Sequence, residues 1–200
     1  MRIVIVLLCL AFAGPVAWAA DPATQTIALL RHGEKPPAGL GQLDCQGLNR
    51  ALALPPVLAR LFGRPQAIFA PNPATKVRDA GGDFDYVRPL ATIEPTAIAL
   101  GMPVDASVGY TDTDGLQRRL GEPRFRNALV FVAWEHQRIV EITRSLLARH
   151  NGDAGVVPTW PEDDYDGIYV VRIVRTGDRV RASFERADEG LNGLPRSCPG

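Results

Sequence analysis

An excess of charge of either sign is missing from this chain. Lysine and arginine number 22 and aspartate and glutamate 22, so the charges cancel. No general attraction to nucleic acid or to an anionic membrane follows, and any positive site has to be local. Histidine is scarce, with three residues scattered along the chain. No Cys/His cluster has metal-ligand spacing, so neither a metal nor another cofactor is expected. A glycine-rich phosphate loop of the Walker type is absent, which removes the P-loop nucleotide enzymes. There is no internal repeat and no low-complexity linker. The 200 residues therefore read as one domain with appendages at most. The hydrophobic share, 46%, is enough to build a core.

Long apolar runs are confined to the start. Arg2 supplies a short positive end, and Ile3 to Ala13 is unbroken apolar sequence. Gly14-Pro15 breaks it, and Ala17-Trp18-Ala19 gives a small-x-small cleavage pattern. Residues 1–20 read as a secretory signal, which places the mature protein in the periplasm or outside the cell. The alternative is an uncleaved anchor, because the apolar stretch to Ala20 approaches spanning length. Cleavage removes Cys9 and leaves Cys45 and Cys198. Export allows these two to pair, though two free thiols fit the sequence as well.

The remainder alternates strands and helices, the pattern of a layered α/β fold. Ile27–Leu30 and Ala128–Ala133 are short continuous apolar runs, as in strands covered on both faces. Asp44 can cap a helix from about Cys45 to Phe62, with Leu48, Ala51, Leu52, Val57, Leu58 and Leu61 as its apolar stripe. Pro55 and Pro56 should kink or split it. Ala67–Ala70 reads as a strand, and Asn72 to Tyr86 as a long polar loop. A helix is expected over Arg88–Leu100, with Pro89 in its first turn and Gly101 at its end. Tyr110–Gly121 reads as a polar connection with one short helix at most. A further helix covers Ile139–Arg149, with Ile139, Ile142, Leu146 and Leu147 inward. Residues 168–174 and 179–185 alternate around Thr176-Gly177-Asp178, a hairpin signal.

The chemistry gathers where the first strand ends. Ligands of open α/β sheets collect beyond the carboxyl ends of the strands, and Arg31-His32-Gly33 stands there. An imidazole is a nucleophile that can be phosphorylated, and a guanidinium offers a fork that matches phosphate oxygens. Alone, the triplet also fits an arginine and a histidine that merely end a strand. Two further features repeat the theme. Arg88 opens a helix, where backbone N–H groups favour an anion. The strand Ala128–Ala133 runs into Trp134-Glu135-His136, again an apolar strand ending in a histidine.

These features together resemble the histidine phosphatase superfamily, with its phosphoglycerate-mutase-like fold. The likeness runs from Ile27 to about Val174. Leu30-Arg31-His32-Gly33-Glu34 looks like the opening motif. Leu43–Ala53, with Gly47, Arg50 and Ala51, looks like the first helix. Asn72-Pro73 and then Arg88-Pro89-Leu90-Ala91-Thr92 look like the second motif, and Val130–His136 like the strand that delivers the second histidine. The chain departs from the pattern in the long insertion between Asn72-Pro73 and Arg88. It departs again at Gln137, where relatives often carry glycine or a proton-donating aspartate.

The resemblance implies a three-layer α/β/α sandwich around a mainly parallel sheet. It implies a metal-independent phosphatase acting on small phosphorylated substrates through a phosphohistidine. His32 would be the nucleophile, and Arg31, Arg88 and His136 would hold the phosphoryl group. For the proton donor to the leaving group, Glu135 is preferred over Asp112 and Asp114. His150, at a helix end, reads as a cation near that terminus. The alternative from a different class is a degenerate member that only binds a phosphorylated or anionic ligand.

Overall fold

The computed structural model describes residues 22–200, so the signal segment and Cys9 lie outside the described residues. The centre is a six-stranded sheet in the order β5-β2-β6-β1-β7-β8. Its strands are β1 (Ala23–Arg31), β2 (Ala67–Phe69), β5 (Val104–Asp105), β6 (Leu129–Trp134), β7 (Gly167–Thr176) and β8 (Arg179–Asp188). β5, β2, β6 and β1 run parallel, while β7 and β8 continue the sheet antiparallel. Four helices cover it: α1 (Cys45–Phe62), α2 (Arg88–Leu100), α3 (Thr113–Leu120) and α4 (His136–Arg149).

Alternation along the strands divides the core in two, since successive side chains point to opposite faces. Ile27 and Leu29 of β1 pack with Val130, Val132 and Trp134 of β6 against α3 and α4. Ala28 and Leu30 pack with Phe131 and Ala133 against Leu54 and Leu58 of α1 and Ile93 and Ala97 of α2. The result is the three-layer α/β/α sandwich, with the sheet mainly parallel. Among the described residues no helix is long and apolar enough to cross a membrane.

Three sequence expectations need correction. α1 is one unbroken helix through Pro55 and Pro56. The prolines therefore do not split it: Ala51, Leu54, Val57 and Leu58 are buried on both sides of them, and this shared packing keeps the two halves in one helix. The stripe is also rotated from the expected one: Leu48, Leu52 and Leu61 are exposed, and Gly47 and Arg50 are buried instead. The supposed loop Asn72–Tyr86 contains a hairpin, β3 (Lys76–Asp79) and β4 (Gly82–Asp85). Its residues pair antiparallel around Ala80-Gly81, a two-residue turn too polar to announce strands.

Arg50 is buried for an electrostatic reason. Its guanidinium donates to both carboxylate oxygens of Glu34, at 2.7 and 3.0 Å, and to Glu189 at 2.6 Å. Asp166 lies 3.3 Å away and also accepts from the backbone N–H groups of Gly190 and Leu191. One guanidinium thus ties the end of the first motif to α1, to the approach to β7 and to the exit of β8. Burial, with Asp166 and Glu34 nearby, pushes the Glu189 carboxyl up to about 8. Cys45 and Cys198 form a disulfide across 153 residues of sequence. Asn49 fastens the same tail by donating to the carbonyls of Pro195 and Ser197.

Two stability measurements follow. The double variant Cys45→Ser/Cys198→Ser should lose about 2–5 kcal/mol of unfolding free energy, read as a lowered urea midpoint. Folded Glu189 keeps a proton that the unfolded chain has given up above its ordinary value of 4.5. Its contribution to stability is therefore present below pH 4.5 and lost as pH rises toward about 8. Urea titrations at several pH values should show Glu189→Gln losing less stability than the unmodified chain over that window.

Candidate active site

β1 and β6 pair in parallel with Arg31 opposite Trp134, and the His32 N–H donates to the Trp134 carbonyl at 3.2 Å. The next residues out, His32 on one strand and Glu135-His136 on the other, therefore leave the sheet side by side. α2 and α4 begin at this edge with Arg88 and His136. Arg31, His32, Arg88, Glu135 and His136 line one cleft of about 330 Å³, together with Lys35, Asp79, Tyr86, Tyr110 and Glu162. A larger hollow of about 470 Å³ lies along β2 and β5, and none of the histidines lines it.

Close backbone contacts shape the turn after His32. A Cβ on Gly47 would collide with the Glu34 carbonyl oxygen, and one on Gly33 would meet Gly47 at 3.0 Å. Only two glycines allow α1 to come so near the motif. The Gly33 N–H donates to Thr92 Oγ1 at 2.9 Å, and that hydroxyl donates to the Arg88 carbonyl at 2.8 Å. The threonine four residues after Arg88 thus joins the first motif to the second.

His32 is almost wholly buried. Its Nδ1 lies 2.7 Å from the Gly33 carbonyl oxygen, which can only accept. Nδ1 therefore carries the proton, and Nε2 keeps its lone pair. Burial, and then the charges of Arg88 and Arg31, lower the imidazole from 6.5 to about 3. The ring stays neutral at physiological pH, the form in which nitrogen can attack an electrophile.

The arginines are held firmly. Arg31 Nη1 donates to the carbonyls of Glu162 and Asp164, at 2.8 and 2.9 Å, and its guanidinium lies 4.0 Å from the centre of the Tyr165 ring. Arg88 donates from Nη1 and Nη2 to Asp79, at 2.7 and 3.3 Å, and its guanidinium lies 4.9 Å from the Tyr86 ring. The Nε of each is buried with no hydrogen-bond partner among the described residues. The Tyr86 hydroxyl is likewise buried and unpartnered, and the ring stands edge-on to His32. Burial holds that phenol above its ordinary range, so it keeps its proton.

His136 sits between two carboxylates: Nδ1 is 2.7 Å from Glu135 and Nε2 is 3.2 Å from Glu162. Glu135 caps α4, accepting from the N–H groups of Gln137 and Arg138 at 3.1 and 2.9 Å. Burial works against its charge, but His136 and the two N–H groups prevail and hold it down to about 2. As placed, Glu135 is held as a carboxylate beside His136, an arrangement that favours an anchor over a proton donor. Asp112 caps α3 through the Gly115 N–H, and Asp114 pairs with Arg149; neither lines the cleft. His150 caps the end of α4, with Nδ1 2.9 Å from the Leu146 carbonyl.

Sequence reasoning missed Asp79, Tyr86, Glu162 and Tyr165. Tyr86 had a signal, an aromatic two residues before the helix-opening arginine. Asp79 had none, because its partner lies across a hairpin that was read as loop.

No protein-family model matches the chain, and no curated protein matches its sequence. Solved structures do. A mycobacterial glucosyl-3-phosphoglycerate phosphatase bound to inorganic phosphate is 14% identical, with a TM-score of 0.56 over 82% of this chain and 98% of that one. A phosphoglycerate mutase from Plasmodium falciparum is 13% identical, at 0.53 over 89% and 98%. A phosphoglycerate mutase from Bacillus anthracis is 10% identical, at 0.53 over 86% and 96%. A likeness at this identity concerns the path of the chain, and that path carries both hydrolases and mutases. The chain has the phosphoglycerate-mutase-like fold.

Proposed function

We propose that this protein is a histidine phosphatase that hydrolyses phosphate monoesters of small molecules. The observation that carries the reading is the 2.7 Å contact of His32 Nδ1 with the Gly33 carbonyl oxygen, which assigns the tautomer. The Nδ1 proton faces the Gly33 carbonyl, so Nε2 opens as a neutral nucleophile into a cleft flanked by two guanidinium groups. Such catalysis is mostly positioning and charge stabilisation, because the transition state spreads charge over the equatorial oxygens.

The steps follow. The phosphoryl oxygens rest on Arg31 and Arg88, and on His136 Nε2 in place of the exposed Glu162. His32 Nε2 forms a bond to phosphorus while the bond to the leaving oxygen breaks, and the leaving group departs with the electron pair as an oxyanion that takes its proton from water. Water then attacks the phosphohistidine, the P–N bond breaks, and phosphate and neutral His32 are restored. The nearby carboxylates are poor acids: Glu135 and Glu162 face His136, and Asp79 faces Arg88. Turnover should therefore favour leaving groups that depart without a proton. The disulfide and the apolar start of the sequence support export as the setting.

One observation favours a second reading, a non-catalytic binder of an anionic ligand: Arg88 is already paired with Asp79. Turnover of an aryl phosphate by the purified mature protein separates the two. We expect turnover that chelators leave unchanged, and a trapped, acid-labile phosphoprotein. Its complete absence would leave only the binder. His32→Ala should lower kcat by about three orders of magnitude or more. Arg88→Lys should lower kcat/KM by about a hundredfold, since an ammonium has no planar fork.

Two further outcomes concern protons. Glu135→Gln should slow aryl and alkyl phosphates to the same degree, whereas a selective loss on the alkyl ester would restore Glu135 as the acid. In 15N NMR, His32 Nε2 should show the unprotonated signature from pH 5 to 8, as its titration near 3 requires.

A further inference from the structure

The inserted hairpin does more than wall the cleft. Two arginines face the site, and their partners differ in kind. Arg31 is held by neutral carbonyls, whereas Arg88 meets a carboxylate from β3. The side chains of both Arg88 and Asp79 are almost wholly buried. A guanidinium has two donor edges, one formed by Nη1 and Nη2 and the other by Nε and one Nη. Asp79 takes the first edge of Arg88. The second edge keeps an Nε that is buried without a partner among the described residues.

A carboxylate on a phosphate-binding arginine can be a plug that the ligand displaces, or a brace that aims the other edge. Asp79 has the fixings of a brace. Its Oδ2 also accepts from the Gly41 N–H at 2.9 Å. Gly39 has a φ of 78°, and a Cβ there would collide with the Asp79 carboxyl, so the segment closes directly onto it. The Gly41 carbonyl in turn accepts from the N–H groups of Val87 and Arg88, both at 2.9 Å. Asp79, the 39–41 segment and the start of α2 therefore form one interlocked unit.

We infer that Asp79 is a positioning residue for the phosphoryl site, holding Arg88 by its outer edge so that Nε and Nη2 face the ligand. The inference rests on the proposed reading of Arg88 as a phosphoryl clamp. It assigns a task to the insertion that separates Asn72-Pro73 from Arg88.

The test uses the mature protein, an aryl phosphate as substrate and inorganic phosphate as competitive inhibitor. Variants are Asp79→Asn, Arg88→Ala and the pair. Asp79→Asn should raise KM and the inhibition constant of phosphate by about tenfold to a hundredfold, with a smaller change in kcat. In the Arg88→Ala background the same substitution should change neither constant. Tighter phosphate binding in Asp79→Asn would make Asp79 a plug and overturn the inference, as would equal losses in both backgrounds. Asp79→Glu keeps the charge but moves it by one methylene, and it too should weaken phosphate. If Asp79→Asn does not fold, that variant decides, and full phosphate affinity in it would overturn the inference. An unmodified protein that neither turns over the ester nor binds phosphate would overturn the reading of the cleft, and this inference with it. Normal turnover in the unmodified protein with no effect of Asp79→Asn would overturn this inference alone.

Discussion

The parallel pairing of β1 with β6 is the constraint on which the rest depends. Its register sets Arg31 opposite Trp134 and passes one more hydrogen bond to the His32 N–H. A slip of one residue would exchange the faces of every side chain on β1. Ile27 and Leu29 would trade places with Ala28 and Leu30, and both cores would be spoiled together. Because each face is filled by helices, the register is pinned by packing on two sides. The site is thus positioned by residues that never touch a ligand.

Burial does the chemical tuning. His32 stays neutral because it is removed from water beside two permanent cations, which penalise an imidazolium. The same surroundings leave Glu135 ionised, because donors converge on it at the start of α4. Two titratable groups at adjacent strand ends are driven in the same direction on the pH scale for different reasons. The histidine is poised to give an electron pair, and the glutamate serves as an anchor for His136.

Much of this was legible in the sequence wherever a local signal matched the tertiary one. β6 and α4 were marked by apolar runs and periodicity, and α2 by Pro89 and Gly101. Arg31-His32 and Glu135-His136 fall at strand ends, where α/β chemistry is found. What could not be read depends on partners far away in sequence. Pro55 and Pro56 read as breakers because propensity is local, while the packing that overrides them comes from the sheet. The burial of Arg50 has no local signal, because Glu34, Asp166 and Glu189 are brought around it from afar. The β3–β4 hairpin was hidden by its charges and glycines, and with it the partner of Arg88.

The fastening of Cys198 to Cys45 sets an order of events during synthesis. α1 lies under the His32 turn, yet its Arg50 needs Asp166 and Glu189, and its first residue needs Cys198. A chain emerging from its amino end can form β1 and α1 early, but it cannot lock them. Until residues 166 and 189 arrive, Arg50 lacks its closing partners, and until residue 198 arrives, Cys45 lacks its own. A nascent chain thus carries the nucleophile long before it carries the residues that complete the site.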